Sequence, residues 1–219
     1  MRRDEMVVGK CAACLAAAIM LLGGCAGRGD TIPVNLVAKP KDGASNNAAV
    51  KSMAGPRVSV VPFEDGRTDP TKMGSRSSFW GGESYFTAPS GSAGEETAQA
   101  LADYLKRKGW QVQYSKTAPS SNGDGPDIVL SGKILDLNVD AKGGFGFTDV
   151  NARSKLAIQA KNRADESSIT DTVAHSGEHK NIFWFQPQDG AEILSEVLEK
   201  NFERFVLNTK FEDRALRFR

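Results

Sequence analysis

The chain has 219 residues, with 28 Lys and Arg against 27 Asp and Glu and a formal net charge of +1. So even a balance does not point to nucleic acid or an anionic membrane surface as the main partner. Apolar residues make up 40% of the chain, enough to bury one core in a folded part of ordinary domain size.

Arg2, Arg3 and Lys10 precede an apolar run, CAACLAAAIMLL, at residues 11–22. A membrane-spanning helix needs about 20 apolar residues, and this run has about a dozen. A short apolar run behind a basic start and ahead of small residues reads as a secretory signal peptide. Two glycines and then Cys25 follow it.

Leu22-Gly23-Gly24-Cys25 resembles the lipobox of bacterial lipoproteins. The resemblance implies cleavage between Gly24 and Cys25, a diacylglyceryl group on the Cys25 thiol, and an N-acyl chain on the new amino terminus. Several acyl chains on one residue anchor a protein firmly, because each buried CH₂ contributes about 0.8 kcal/mol. Ala26 stands where the family's inner-membrane retention signal carries Asp. The resemblance therefore implies the outer membrane, with the protein on its periplasmic side. Cleavage removes Cys11 and Cys14, so the mature chain holds no free thiol pair for a disulfide, and it carries 25 basic and 25 acidic residues.

These readings divide the chain into a signal peptide at residues 1–24, a flexible tether from lipidated Cys25 at residues 25–55, and one globular domain at residues 56–219. The tether segment is polar and small, as in KPKDGASNNAAVKSMAG, and shows neither strand nor helix periodicity. It is expected to hold the folded part away from the bilayer.

In the domain, Val58, Val60, Val61 and Phe63 predict a short strand covered on both faces, closed by turn residues from Asp65 to Pro70. Residues 73–94 are rich in Gly and Ser and read as a long loop. EETAQALADYLKRKGW predicts a helix with acidic residues at its start, basic residues at its end and Gly109 as its stop. Trp110, Val112 and Tyr114 alternate with Gln and give the next strand, completing a βαβ unit.

IVLSGKILDLNVD changes its apolar phase between Ile134 and Leu135, which predicts a bulge or sharp twist there. VNARSKLAIQA alternates cleanly, and ITDTVAHSGEHKN follows a turn, so an antiparallel meander with one wet face is expected. From Pro187 to about Thr209, Ile193, Leu194, Val197, Leu198, Phe202 and Phe205 recur at helical spacing. The fold class is therefore α/β (α+β): a mixed sheet with a βαβ start, an antiparallel meander, and a carboxy-terminal amphipathic helix packed on the sheet.

The opening VSVVPFEDGRTD and the stretch DIVLSGKILDLNVD resemble YajG-like envelope lipoproteins and, more distantly, CsgG-type lipoproteins and the amino-terminal domain of TolB. That resemblance implies binding and assembly in the cell envelope rather than catalysis.

Candidate chemistry is sparse. His175 and His179, on a strand, stand about 13 Å apart along one face, too far for one metal ion. No G-x-S-x-G motif is present, NGDGPD lacks the ligand spacing of a calcium loop, and GGFG is not followed by a helix. No cofactor, metal site or catalytic residue is expected, and the protein is read as a non-enzyme. Phe79, Trp80, Tyr85 and Phe86, among glycines and serines, are candidates for partner contact; the alternative is that these rings fold back over the sheet. Residues 182–185, IFWF, are expected in the core. The function expected is that of a lipid-anchored accessory or assembly factor binding another envelope protein. The alternative is a carrier or transport-accessory lipoprotein for a lipid or glycan.

Overall fold

The structure is a computed structural model that describes residues 29–38, 56–119 and 125–219. Cys25, Gly24 and the signal peptide lie outside the described residues, as do residues 39–55. In chain order the elements are β1 (Asp30–Pro33), β2 (Arg57–Val60), β3 (Glu64–Asp65), β4 (Gly74–Ser77), β5 (Glu83–Thr87), α1 (Ala93–Arg107), β6 (Gln111–Tyr114), β7 (Ile128–Gly143), β8 (Thr148–Asn162), β9 (Ser168–Ile182), α2 (Pro187–Asn208), β10 (Thr209–Glu212) and β11 (Ala215–Phe218).

Strand β7 organises the sheet. Along one side it pairs antiparallel with β8, which pairs antiparallel with β9. Along its other side it receives β2, β3 and β4 in succession, all parallel. β6 lies parallel outside β2, as the βαβ reading requires, and β5 pairs antiparallel outside β4. The β7–β8 register shifts between Ile134 and Asp136, where the apolar phase changes. The bulge lets Ile134 and Leu137 both face inward and leaves Leu135 exposed.

Both helices lie against one face. Each is capped at its start: the Ser92 hydroxyl accepts from the Glu95 N–H at 3.2 Å, and the Gln186 N–H donates to the Asp189 carboxylate at 2.6 Å. The Tyr104 and Phe202 rings meet across the helices at 5.7 Å. Leu198 and Phe202 are fully buried, as the spacing predicts. On β8, Val150, Ala152, Leu156, Ile158 and Ala160 are buried under the helices, while Asn151, Arg153, Lys155, Gln159 and Lys161 alternate with them on the wet face.

Two sequence expectations are corrected. Residues 29–38 are not tether. β1 pairs parallel with β5, and Val34, Leu36 and Ala38 join the core. Only the alternation of Ile32, Val34, Leu36 and Ala38 signals this in the sequence, and the polar stretch after them dominates the composition. Residues 73–94 are not one loop either, since they hold the β4–β5 hairpin. Its approach to β7 depends on Gly74: at φ 137°, a Cβ there would lie 1.8 Å from the Val139 carbonyl oxygen. The chain after α2, to which the sequence reading assigned no element, forms a hairpin, β10–β11, turning through Asp213 and Arg214 with positive φ at both, the geometry of a tight two-residue connection.

Candidate functional site: an aromatic crest at one end of the sheet

Parallel pairing of β4 with β7 puts Ser77 beside Lys142, so the β4–β5 turn and the β7–β8 turn leave the sheet at the same end. Antiparallel pairing of Thr148 with Ile182 brings the segment after β9 to that end as well. Each of these three connections carries two exposed aromatic residues: Phe79 and Trp80, Phe145 and Phe147, Phe183 and Trp184. Trp80, Phe145 and Trp184 are each at least 80% exposed, which marks rings held out in solvent and not folded back over the sheet.

The turns that hold them are tight. Ser78 N–H donates to the Gly82 carbonyl at 2.8 Å, the Ser78 hydroxyl accepts from the Gly82 N–H at 2.9 Å, and Gly81 takes φ 86°. The Gly144 N–H donates to the Phe147 carbonyl at 2.7 Å, with Gly146 at φ 78°. Asn181 has φ 58°, and its N–H donates to the Asp149 carboxylate at 2.8 Å, which turns the chain just before Ile182. Phe79 stacks edge-on with Trp80 at 5.2 Å and with Phe145 at 5.9 Å, joining two of the tips. Phe183 and Trp184 meet at 6.5 Å.

The four aromatic residues singled out in the sequence therefore separate. Phe79 and Trp80 stand on the crest. Phe86 is fully buried, against Phe185 at 6.4 Å and beneath the start of α2. Phe86 is thus corrected to a core residue, because alternation along β5 turns it to the helix side. Tyr85 is half-buried with the Lys72 ammonium 4.4 Å from its ring centre. The expectation that residues 182–185 are core is also corrected: Phe183 and Trp184 are exposed, and only Ile182 and Phe185 pack inward. Nothing local in the sequence links the three aromatic pairs; the strand register does.

Three aspartates whose titration is displaced, Asp65, Asp127 and Asp165, fasten loops. Burial pulls the Asp65 carboxyl upward, but hydrogen bonds from the Arg67 side chain and N–H, with its charge, hold it below the usual range. Arg67 grips both Asp65 oxygens at 2.9 and 2.6 Å and donates to the Lys72 and Leu137 carbonyls. Asp127, also raised by burial and lowered more by its partners, accepts from the Arg57 N–H at 2.8 Å and pairs with Arg214. Hydrogen bonds from Ser167 and Arg217 bring Asp165 down to about 2.

His175 and His179 both lie on β9, and His179 stands 3.5 Å from the Glu196 carboxylate. Among the described residues no group of three His, Cys, Asp or Glu is placed to hold a metal ion. Clefts of about 510, 320 and 300 Å³ open to solvent and have mixed polar and apolar linings, with Arg57, Gln111 and Gln113 in the first and Arg67, Asp69 and Asp136 in the last. Among the described residues no helix is long and apolar enough to cross a membrane.

No protein-family model matches the chain, and no curated protein matches it. Solved structures to which it is similar include the PelC dodecamer from Paraburkholderia phytofirmans, at 14% identity and TM-score 0.37, covering 67% of this chain and 87% of that one. A minor lipoprotein from Acinetobacter baumannii is similar at 12% identity and TM-score 0.34, covering 68% of this chain and 88% of that one. An uncharacterized protein is similar at 8% identity and TM-score 0.41, covering 82% and 97%. Likenesses this distant assign no role to the chain.

Proposed function

We propose that this is a lipid-anchored lipoprotein on the periplasmic side of the outer membrane, acting without catalysis as an accessory factor that binds another envelope component. The observation that carries the anchor is Leu22-Gly23-Gly24-Cys25 at the end of a short apolar run. The described clefts are open to solvent and none encloses a deep apolar cavity, which favours a macromolecular partner over a carried lipid.

The partner surface is the outer edge of β9. This strand runs for 15 residues and pairs, among the described residues, only with β8. A free edge offers a row of backbone donors and acceptors to an added strand.

A photo-crosslinking residue at Ala174 in intact cells tests this, with one at Lys106, exposed on α1 and far from β9, as comparison. Adducts at Ala174 and not at Lys106 are the expected outcome. Mass analysis of the mature amino terminus, with Cys25→Ser beside the wild type, tests the anchor. An unmodified wild-type Cys25 sinks it.

A further inference from the structure

The crest and Gly29, where the described chain enters β1, lie at the same end of the sheet. The Gly29 N–H donates to the Glu83 carbonyl at 2.9 Å, so the chain enters β1 beside the first residue of β5. Glu83 directly follows the turn that carries Phe79 and Trp80. Three residues, Ala26, Gly27 and Arg28, separate Cys25 from Gly29. Four steps of fully extended chain reach roughly 14 Å.

We infer that the aromatic crest is a second membrane contact: its exposed rings, Trp80, Phe145 and Trp184 foremost, enter the headgroup region of the bilayer that holds the Cys25 lipid. The inference rests on the lipid anchor proposed above. An acylated Cys25 holds Gly29 within about 14 Å of the bilayer surface, so the end of the sheet that faces the lipid is the crest end.

The residue types fit that environment. Trp favours the membrane–water interface, where an apolar ring and a polar N–H each find their solvent. Held in water, six exposed aromatic residues grouped at one end are a solubility liability. The backbone of the turns is already ordered, so little backbone entropy is lost on entry. Charges around the crest are mixed, with Lys142 and Lys180 against Glu83 and Asp149. Contact therefore needs no anionic lipid.

The chain has three Trp, and the third, Trp110, packs at 4.5 Å on Phe211, away from the crest. The test uses full-length lipidated protein in phosphatidylethanolamine–phosphatidylcholine vesicles whose acyl chains carry bromine close to the ester carbonyls, a short-range quencher that reaches rings at the headgroup boundary. Wild-type emission should shift to the blue and lose intensity against unbrominated vesicles. Trp80→Phe with Trp184→Phe, both at exposed sites, should leave only Trp110 emission, which should not respond.

Wild-type protein that floats with the vesicles yet shows no quenching overturns the crest contact and leaves the anchor standing. That result returns the rings to a protein partner. Quenching of the double variant equal to that of the wild type also overturns it, since some other face would then meet the lipid. Wild-type protein that does not float overturns the anchor, and the crest contact with it.

Discussion

The Asn162 side chain holds the backbone of Leu216 with both of its polar atoms: Oδ1 accepts from the Leu216 N–H at 2.8 Å, and Nδ2 donates to the Leu216 carbonyl at 3.0 Å. Asn162 and Leu216 are both fully buried. One amide side chain at the end of β8 thus fixes the β10–β11 hairpin to the sheet. Asn162→Ala leaves a buried N–H and a buried carbonyl without partners. It should lower unfolding free energy by about 1–3 kcal/mol for each group so stranded, read by chemical denaturation. Hydrogen exchange should rise first at residues 209–218.

Leu198 and Phe202 carry the contact of α2 with the sheet and with Tyr104. Truncating either to Ala should cost about 2–5 kcal/mol, from lost transfer energy and the cavity left behind. A loss below about 0.5 kcal/mol for both, well short of that range, would mean that the helix face is not what closes the core.

Trp80 and Phe86 lie close in sequence and belong to opposite environments. Trp80→Ala should leave the melting temperature within the scatter of surface substitutions, whereas Phe86→Ala should destabilise by about 3–5 kcal/mol. Equal effects on a pair of melting curves would contradict the placement of β5.

Acid stability should depend on the arginine-bound aspartates. Asp65 and Asp127 have folded-state pKa values below the ordinary value of 3.8, so they favour the folded state above that value and lose this contribution as pH falls below it. Asp65→Asn removes one such titration. Its unfolding free energy should fall less steeply than that of the wild type between pH 4 and pH 2, in urea titrations at each pH; a steeper fall would reverse the sign assigned to Asp65.

Gly74→Ala puts a methyl group into the Val139 backbone at a positive φ. The β4–β7 pairing cannot accommodate it without backbone movement. Soluble yield and cooperativity of unfolding should both fall. A variant as stable as the wild type would show that β4 does not approach β7 as described.

The elements with strong periodicity were legible in the sequence. Alternation on β8 and the helical stripe of α2 state their buried faces directly, and even the bulge at Ile134 shows as a change of phase. What was not legible depends on pairing between distant segments. β1 gains its partner from β5, more than fifty positions later, so no local pattern distinguishes it from a linker. The crest has the same origin: Phe79, Phe145 and Phe183 lie in separate turns, and only the common direction in which β4, β7 and β9 meet their neighbours brings those turns together. Phe86 was misplaced because the Gly and Ser around it masked the alternation of a five-residue strand.

The short parallel pairing of β1 with β5 also has a mechanical meaning. A pull applied upstream of Gly29, outward past the crest, runs along the axis of β1. The bonds from Gly29 N–H to Glu83 and from Val34 N–H to Thr87, with those between them, are then loaded together in shear and not peeled one at a time. Behind them, Val34, Leu36 and Ala38 are seated in the core, and the Val37 N–H is held by the Ser195 hydroxyl at 3.0 Å. Tension at the amino-terminal end is thereby passed into the body of the sheet and to α2, which makes this entry a stiff mooring and not a slack line.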